Sequence, residues 1–249
     1  MNHSQSSCKV YETCPRRFRY AFIDKFLPER PVPPTWRHGT AIHRALETAY
    51  RSVMAGIPVA TTFPLALRTL NEAWVELDLP DVDGWHSKSI SVLNRTLQHN
   101  VLPLDEILGV EMSFQDEIEG FKLSGVADLV LRINPDVIEI VDHKVTRTPQ
   151  TPADLLADHQ LNLYAWFAKR QWLDTKIIRG THHYPVLGTT VTVELTEESI
   201  ARVISSIIDT ARTASQDSTF EPRPSGACEH CQWIDRCPAV DAKLATSLR

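Results

Sequence analysis

Two aspartates and a lysine in a stretch dominated by Val, Ile and Leu are where this chain is best placed to do chemistry. Gly125 to Val145 reads G-V-A-D-L-V-L-R-I-N-P-D-V-I-E-I-V-D-H-K-V, with Asp128 near its start and Asp142 and Lys144 two apart near its end. Two carboxylates and an ammonium could hold Mg²⁺ or Mn²⁺ against a phosphate. Hard oxygen ligands suit those ions, and a lysine can stabilise charge developing on an attacked phosphoryl group. Val, Ile and Leu fill most other positions here, and charges in such a setting need partners. A surface ion pair would account for a D-x-K on a strand just as simply, so the rest of the chain must decide.

The stretch reads as two strands, Val126–Ile133 and Val137–Val145, around a turn at Asn134-Pro135-Asp136. Alternation along a strand puts Asp142 and Lys144 on one face and His143 on the other. Upstream, a strand begins at Ile107 and ends at a turn over Glu119-Gly120. Val110, Met112 and Phe114 alternate there with Glu111, Ser113 and Gln115. That pattern puts Glu111 on the solvent face, although its carboxylate could also serve as a third metal ligand. Downstream, T-R-T-P-Q-T-P is a linker, and Pro152 opens a helix expected to run to about Trp172. Gln160 and Tyr164 are four apart and share one face of it. Strands at about Lys176–Pro185 and Thr190–Glu194 and a helix from Glu197 to Ala214 follow. His182 and His183 alternate faces on their strand, so no common role is assigned to them.

Residues 4–27 have helical spacing, with serine caps and Val10, Tyr11, Cys14, Phe18, Phe22 and Phe26 at three- and four-residue steps; Pro15 must kink or split the helix. After a Pro-rich linker, a helix over Trp36–Ala55 ends at Gly56. His43 borders its apolar stripe of Ile42, Ala45, Leu46 and Ala49, a position where packing histidines outnumber ligands. Helices at about Pro64–Leu77 and Ser87–His99 read as an insert or cap without chemistry of their own.

The C-terminal C-E-H-C-Q-W-I-D-R-C-P supplies Cys228, Cys231 and Cys237. Thiolate-bound metals normally want four ligands. Cys8 and Cys14 remain at the other end of the chain, with His230 a lesser candidate, and zinc and an iron–sulfur cluster both fit the residue types. The chain has no apolar run long enough to span a membrane, and M-N-H-S-Q-S-S-C lacks a signal-peptide core. A cytosolic setting is therefore expected, where clustered cysteines are metal ligands more often than disulfides. A net charge of −5 argues against wholesale coating of nucleic acid. Residues 1–51 nevertheless hold nine Lys or Arg against four acids, while 68–119 hold three against eleven, which leaves room for a local anion site.

Taken in order, Y-E-T-C-P-R-R-F, G-T-A-I-H, G-V-E, G-V-A-D, V-D-H-K, Q-L-N-L-Y and the final C-x₂-C-x₅-C-P resemble the RecB-like branch of the PD-(D/E)xK nucleases. They are most similar to its iron–sulfur subgroup, which includes the CRISPR-associated adaptation exonuclease and AddB-type nuclease domains. The resemblance implies an α/β fold: a restriction-endonuclease-like core with a mixed central sheet flanked by helices, an N-terminal helical region and a C-terminal cysteine-ligated cluster. Along the chain this gives an N-terminal helix (1–35), a helical region carrying the metal-binding histidine (36–105), the nuclease core (106–220) and an iron–sulfur segment (221–249). It implies that His43, Asp128, Asp142 and the backbone of His143 bind Mn²⁺ or Mg²⁺. Lys144 would orient or activate water, and Glu111 would support the site or a second metal. Gln160 and Tyr164 would position DNA. The basic face of Arg16, Arg17 and Arg19 would guide its backbone where it is not occupied in packing the cluster. Cys14, Cys228, Cys231 and Cys237 would hold a [4Fe–4S] cluster, with structural zinc the alternative, leaving Cys8 free. Where close relatives often carry Tyr before the lysine, this chain has His143. The implied activity is trimming of single-stranded or free DNA ends, with recombination or CRISPR-adaptation proteins as partners. A non-catalytic, metal-stapled DNA-binding subunit is the competing expectation.

Overall fold

The computed structural model describes residues 2–98, 102–104 and 106–239. By contact they divide into two units. The smaller comprises the described parts of Met1–Pro33, Asp116–Ser124 and Ser205–Arg249; the larger comprises Pro34–Gln115 and Gly125–Ile204. Residues 205–220, placed by the sequence with the nuclease core, thus group with the two ends of the chain.

In the smaller unit, β1 (Asn2–Ser4) runs parallel to Lys122–Ser124. Ser4 and Ser7 then form a reciprocal capping box that starts α1 (Gln5–Thr13). Pro15 has no N–H to continue that helix, so Cys14 goes extended at φ −161° and ψ 110° and α2 (Pro15–Phe18) begins afresh. A π-helical turn over Arg19–Ile23 follows. The expected helix over 4–27 is therefore split, with Cys14 at the joint. Tyr11, Phe18, Ala214 and Phe220 make a small buried core. Tyr11 donates to Asp217 at 2.9 Å, the Trp233 indole N–H to the Phe26 carbonyl at 3.2 Å, and Arg30 to Asp235 at 2.7 Å. The two ends of the chain are folded together.

The larger unit places α3 (Pro34–Met54), α4 (Phe63–Glu76) and α5 (Trp85–Gln98) against a mixed sheet. His99, the expected end of α5, lies outside the described residues. The sheet takes β2 (Ile107–Ile118), β3 (Phe121–Asn134) and β4 (Val137–His143). The chain then forms α6 (Pro152–Leu156), α7 (His159–Gln171), β5 (Ile177–Tyr184), β6 (Thr189–Glu194) and α8 (Glu197–Gln216). β3 and β4 form the expected antiparallel hairpin, β5 joins β4 in parallel, β6 pairs antiparallel with β5, and β2 pairs with β3. All seven residues of β4 are buried, as a strand flanked on both sides and covered on both faces requires. Ala41, Ile42, Ala45 and Leu46 of α3 meet Leu70, Leu93, Leu129 and Val141 in one apolar cluster. Each fully buried leucine there contributes about 1.5–3 kcal/mol. The insert between α3 and β2 is thus part of the hydrophobic core.

The single helix expected from Pro152 to Trp172 is two. Thr151 and Asp154 cap the first reciprocally, and Asp158 caps the second by accepting from the Leu161 N–H at 2.8 Å. Among the described residues, no helix is long and apolar enough to cross a membrane.

Candidate active site

The larger unit brings His43 from α3, Glu111 from β2 and Asp128 from β3 to one place, with one ligand atom from each within 4.8 Å of the others. His43 Nδ1 lies 3.5 Å from Asp128 Oδ2. They line a cleft of about 600 Å³ shared with Trp36, Arg44, Glu47 and Lys144. The solvent-face reading of Glu111 is overturned. Its φ of +47° breaks the strand's alternation and its side chain is half-buried in the cleft.

Burial pushes the Glu111 carboxyl up to about 7, helped by the nearby Asp128 and Glu47 charges. Burial, then the Asp142 charge, pushes Asp128 up to about 7 as well, against the pull of a 2.7 Å hydrogen bond from the His143 N–H. Crowded carboxylates beside an imidazole suit a divalent cation, whose charge would relieve both. Between the ordinary carboxylate range and about pH 7 the folded, metal-free protein keeps protons that the unfolded chain has released. Through these two groups folding binds protons in that window, so their contribution to stability falls as pH rises through it, while the buried neutral His143, His182 and His183 contribute in the opposite sense. The carboxylate part is isolated by comparison with Glu111→Gln in EDTA: from about pH 5 to about pH 8 the variant is expected to gain on the order of 1–2 kcal/mol of stability relative to wild type, after allowing for solvent screening. An equal pH dependence of melting in the two proteins would contradict this.

Asp142, at the end of β4, is buried and ion-paired with Lys144. Burial alone would lower the Lys144 ammonium's pKa; the carboxylates of Asp142, Asp158 and Asp128 overcome it and raise it instead. Lys144 Nζ also lies 3.4 Å from Gln160 Oε1, and the Gln160 amide donates to the Tyr164 hydroxyl at 3.2 Å. The Q-x₃-Y pair therefore stands behind the lysine. Gly125 allows this, since a Cβ there would come 2.3 Å from Tyr164 Cε1.

Two residues left without a role by the sequence support the site. The parallel register sets His182 beside Asp142 and His183 beside His143. His182 Nε2 lies 3.5 Å from Asp142 and 3.8 Å from Asp158, and burial keeps its pKa low. His183 and His143 meet Nδ1 to Nδ1 at 2.9 Å, and burial lowers both, His183 to about 4, so one neutral ring donates to the other. The His143 ring packs on Tyr50, 5.5 Å between centroids. The alternation assigned to the histidine pair is correct, and each ring backs a different face of β4. The T-H-H-Y run carried that signal, but only the strand pairing shows what it faces.

In the smaller unit, Cys14, Cys228, Cys231 and Cys237 line one cavity of about 100 Å³. The backbone N–H groups of Arg223 and Ser225 approach the Cys14 and Cys228 sulfurs at 3.5 and 3.4 Å. Cys8 is buried elsewhere, its thiol pushed up to about 11 by burial, and the exposed His230 is outside the cavity lining. Arg16 and Arg17 line the same cavity, and Arg19 pairs with Asp24 at 3.2 Å. The first two thus flank the thiols and the third is ion-paired.

A family model described as the PD-(D/E)XK nuclease superfamily matches residues 2–238. A crystal structure described as a "Putative exonuclease" from Eubacterium rectale is similar in fold at 12% identity, with a TM-score of 0.57 over 94% of this chain and 87% of that one. A crystal structure of SSO0001 shares 19% identity over 80% of this chain and 84% of that one, at a TM-score of 0.38, too low to bear on the fold. No curated protein matches the sequence.

Proposed function

Because the chain belongs to the PD-(D/E)XK nuclease superfamily, phosphodiester hydrolases that use divalent metals, we propose that its cleft is a RecB-like nuclease site that trims DNA from free, single-stranded ends and also makes internal cuts. The observation that carries this reading is the convergence of His43, Glu111 and Asp128 on one cleft with the Asp142–Lys144 pair.

His43, Glu111, Asp128 and Asp142 would hold one or two ions. Bound there, the metal supplies positive charge to the phosphate and acidifies water for attack on phosphorus. An imidazole among the ligands favours Mn²⁺ over Mg²⁺. Lys144, held close to its carboxylate neighbours, donates to a phosphoryl oxygen as negative charge builds. Gln160 and Tyr164 fix the lysine's position. The neutral His143–His183 pair holds the end of β4, and the His143 N–H orients Asp128.

The cysteines act as ligands of a [4Fe–4S] cluster in this reading. Among the described residues, only His43, Glu111 and Asp128 bring three metal-ligating atoms within 4.8 Å of one another. Four thiols around one cavity match in number the ligands that either a [4Fe–4S] cluster or a tetrahedral zinc ion takes. Cys231→Ala should give protein that lacks brown colour and melts several degrees lower, whereas stoichiometric zinc in colourless wild type would replace the cluster with an ion.

The test of the nuclease itself is anaerobically purified protein with Mn²⁺ on end-labelled single- and double-stranded DNA, beside an EDTA control. Metal-dependent loss of label from single strands is expected. A folded, brown protein that leaves every substrate whole would make the chain a non-catalytic subunit.

A further inference from the structure

A second recess of about 590 Å³ adjoins the catalytic cleft and shares Val145 and Thr146 with it. Its walls come from α3, from α5, from the chain after β4 and from Val186 in the turn before β6. Lys88, Arg95 and Arg147 line it and, among the described residues, no carboxylate does, although the chain as a whole is acidic. Lys88 Nζ donates to the Asp83 carbonyl at 2.6 Å, and Arg95 Nη2 to the Pro185 and Val186 carbonyls at 2.8 and 2.6 Å. Those bonds orient the cations without cancelling their charge. Lys88 and Arg147 are exposed. Half-buried Trp85 also lines the recess, its ring backed by His38 at 5.2 Å between centroids, and His38 is anchored to Ser89 at 2.7 Å.

We propose that this recess is a nucleotide subsite, taking the part of a single DNA strand that continues beyond the scissile phosphate, with phosphates on Lys88 and Arg147 and a base against Trp85. Cations along the backbone and a supported aromatic ring for the base are what sequence-tolerant binding of single strands requires. The volume suits a small ligand, where pockets run to about 300–1,000 Å³, and excludes a duplex. Continuity through Val145 and Thr146 puts the next nucleotides of a strand cut at the metal site within reach. The assignment rests on the nuclease reading, and it gives the helical insert a binding role beyond its share of the core.

The test uses the full chain carrying Lys88→Glu and Arg147→Glu together, both exposed and outside the metal site. Wild type and variant are compared in hydrolysis of bis(p-nitrophenyl) phosphate, small enough for the catalytic cleft alone, and in anisotropy binding and cleavage of labelled oligothymidylate. The variant is expected to hydrolyse the small diester at the wild-type rate and to bind oligothymidylate at least about tenfold more weakly. Loss of two phosphate contacts should lower the salt slope of binding by about 1.4. Equal oligothymidylate affinity and slope in both proteins would overturn the subsite. So would an equal loss for duplex and single strand, because the recess admits only the latter. Wild type inactive on both substrates would instead overturn the nuclease reading, a result distinct from either.

Discussion

Asp142→Asn is expected to lower DNA cleavage about 1,000-fold, the scale on which removing one preorganised electrostatic contact acts in an enzyme site. The substitution keeps the shape of the side chain and removes its charge. Asp142 is buried at the end of β4, where it holds Lys144 and faces His182. Neutralising it withdraws a metal ligand in the proposed mechanism and the lysine's chief partner at once. Breaking a sealed ion pair costs roughly 3–5 kcal/mol. Lys144 is partly exposed and keeps Asp128 and Asp158 as neighbours, so a cost of about 1–2 kcal/mol is expected here. Initial rates on end-labelled DNA beside a thermal melt check both numbers. Cleavage at the wild-type rate by the asparagine variant would mean that the active site lies elsewhere.

Gly125→Ala is expected to cost about 1–3 kcal/mol, as overpacking a filled site does, and to slow cleavage about 100-fold through misplacement of the lysine. The new methyl would sit 2.3 Å from Tyr164 Cε1, with Cδ1 and Cζ at 3.2 and 3.3 Å. The ring is 4% exposed and lies beside Phe114, 6.2 Å between centroids, so it has little freedom to swing aside. Displacing it moves Gln160 and with it the carbonyl oxygen facing Lys144. Adding Tyr164→Leu should recover the melting temperature while leaving the rate low. A variant that is destabilised yet cuts normally would break the proposed link from Tyr164 to Lys144.

The hairpin with its two aspartates and lysine could be read from sequence because everything that sets it is local: alternation, a turn and an apolar run. His43 needed the family resemblance, since its α3 stripe is that of any packing helix. Glu111 was missed by alternation because one residue in the left-handed region turns its side chain, and no periodicity reports a single backbone torsion. His182 and His183 were out of reach for another reason. Their partners lie about forty positions upstream, across a parallel pairing whose register the chain does not print. The break at Asp158 was obscured because apolar residues continue through it, though a capping aspartate marks it. The charges of Arg16 and Arg17 suggested phosphate, but only the folding together of the chain ends puts them beside thiols.

β4 is hydrogen-bonded to a strand on each side and buried along its whole length. Strands of that kind open only when the whole cooperative unit opens. The carboxylate–lysine pair at its end thus inherits the stability of the larger unit, whereas Lys88 and Arg147 are exposed on α5 and on the chain after β4. Fraying or thermal motion at the surface would then loosen the proposed grip on a long strand while the hairpin stays assembled. In the proposed mechanism, natural variation there would tune substrate length and affinity without disturbing the Asp142–Lys144 pair.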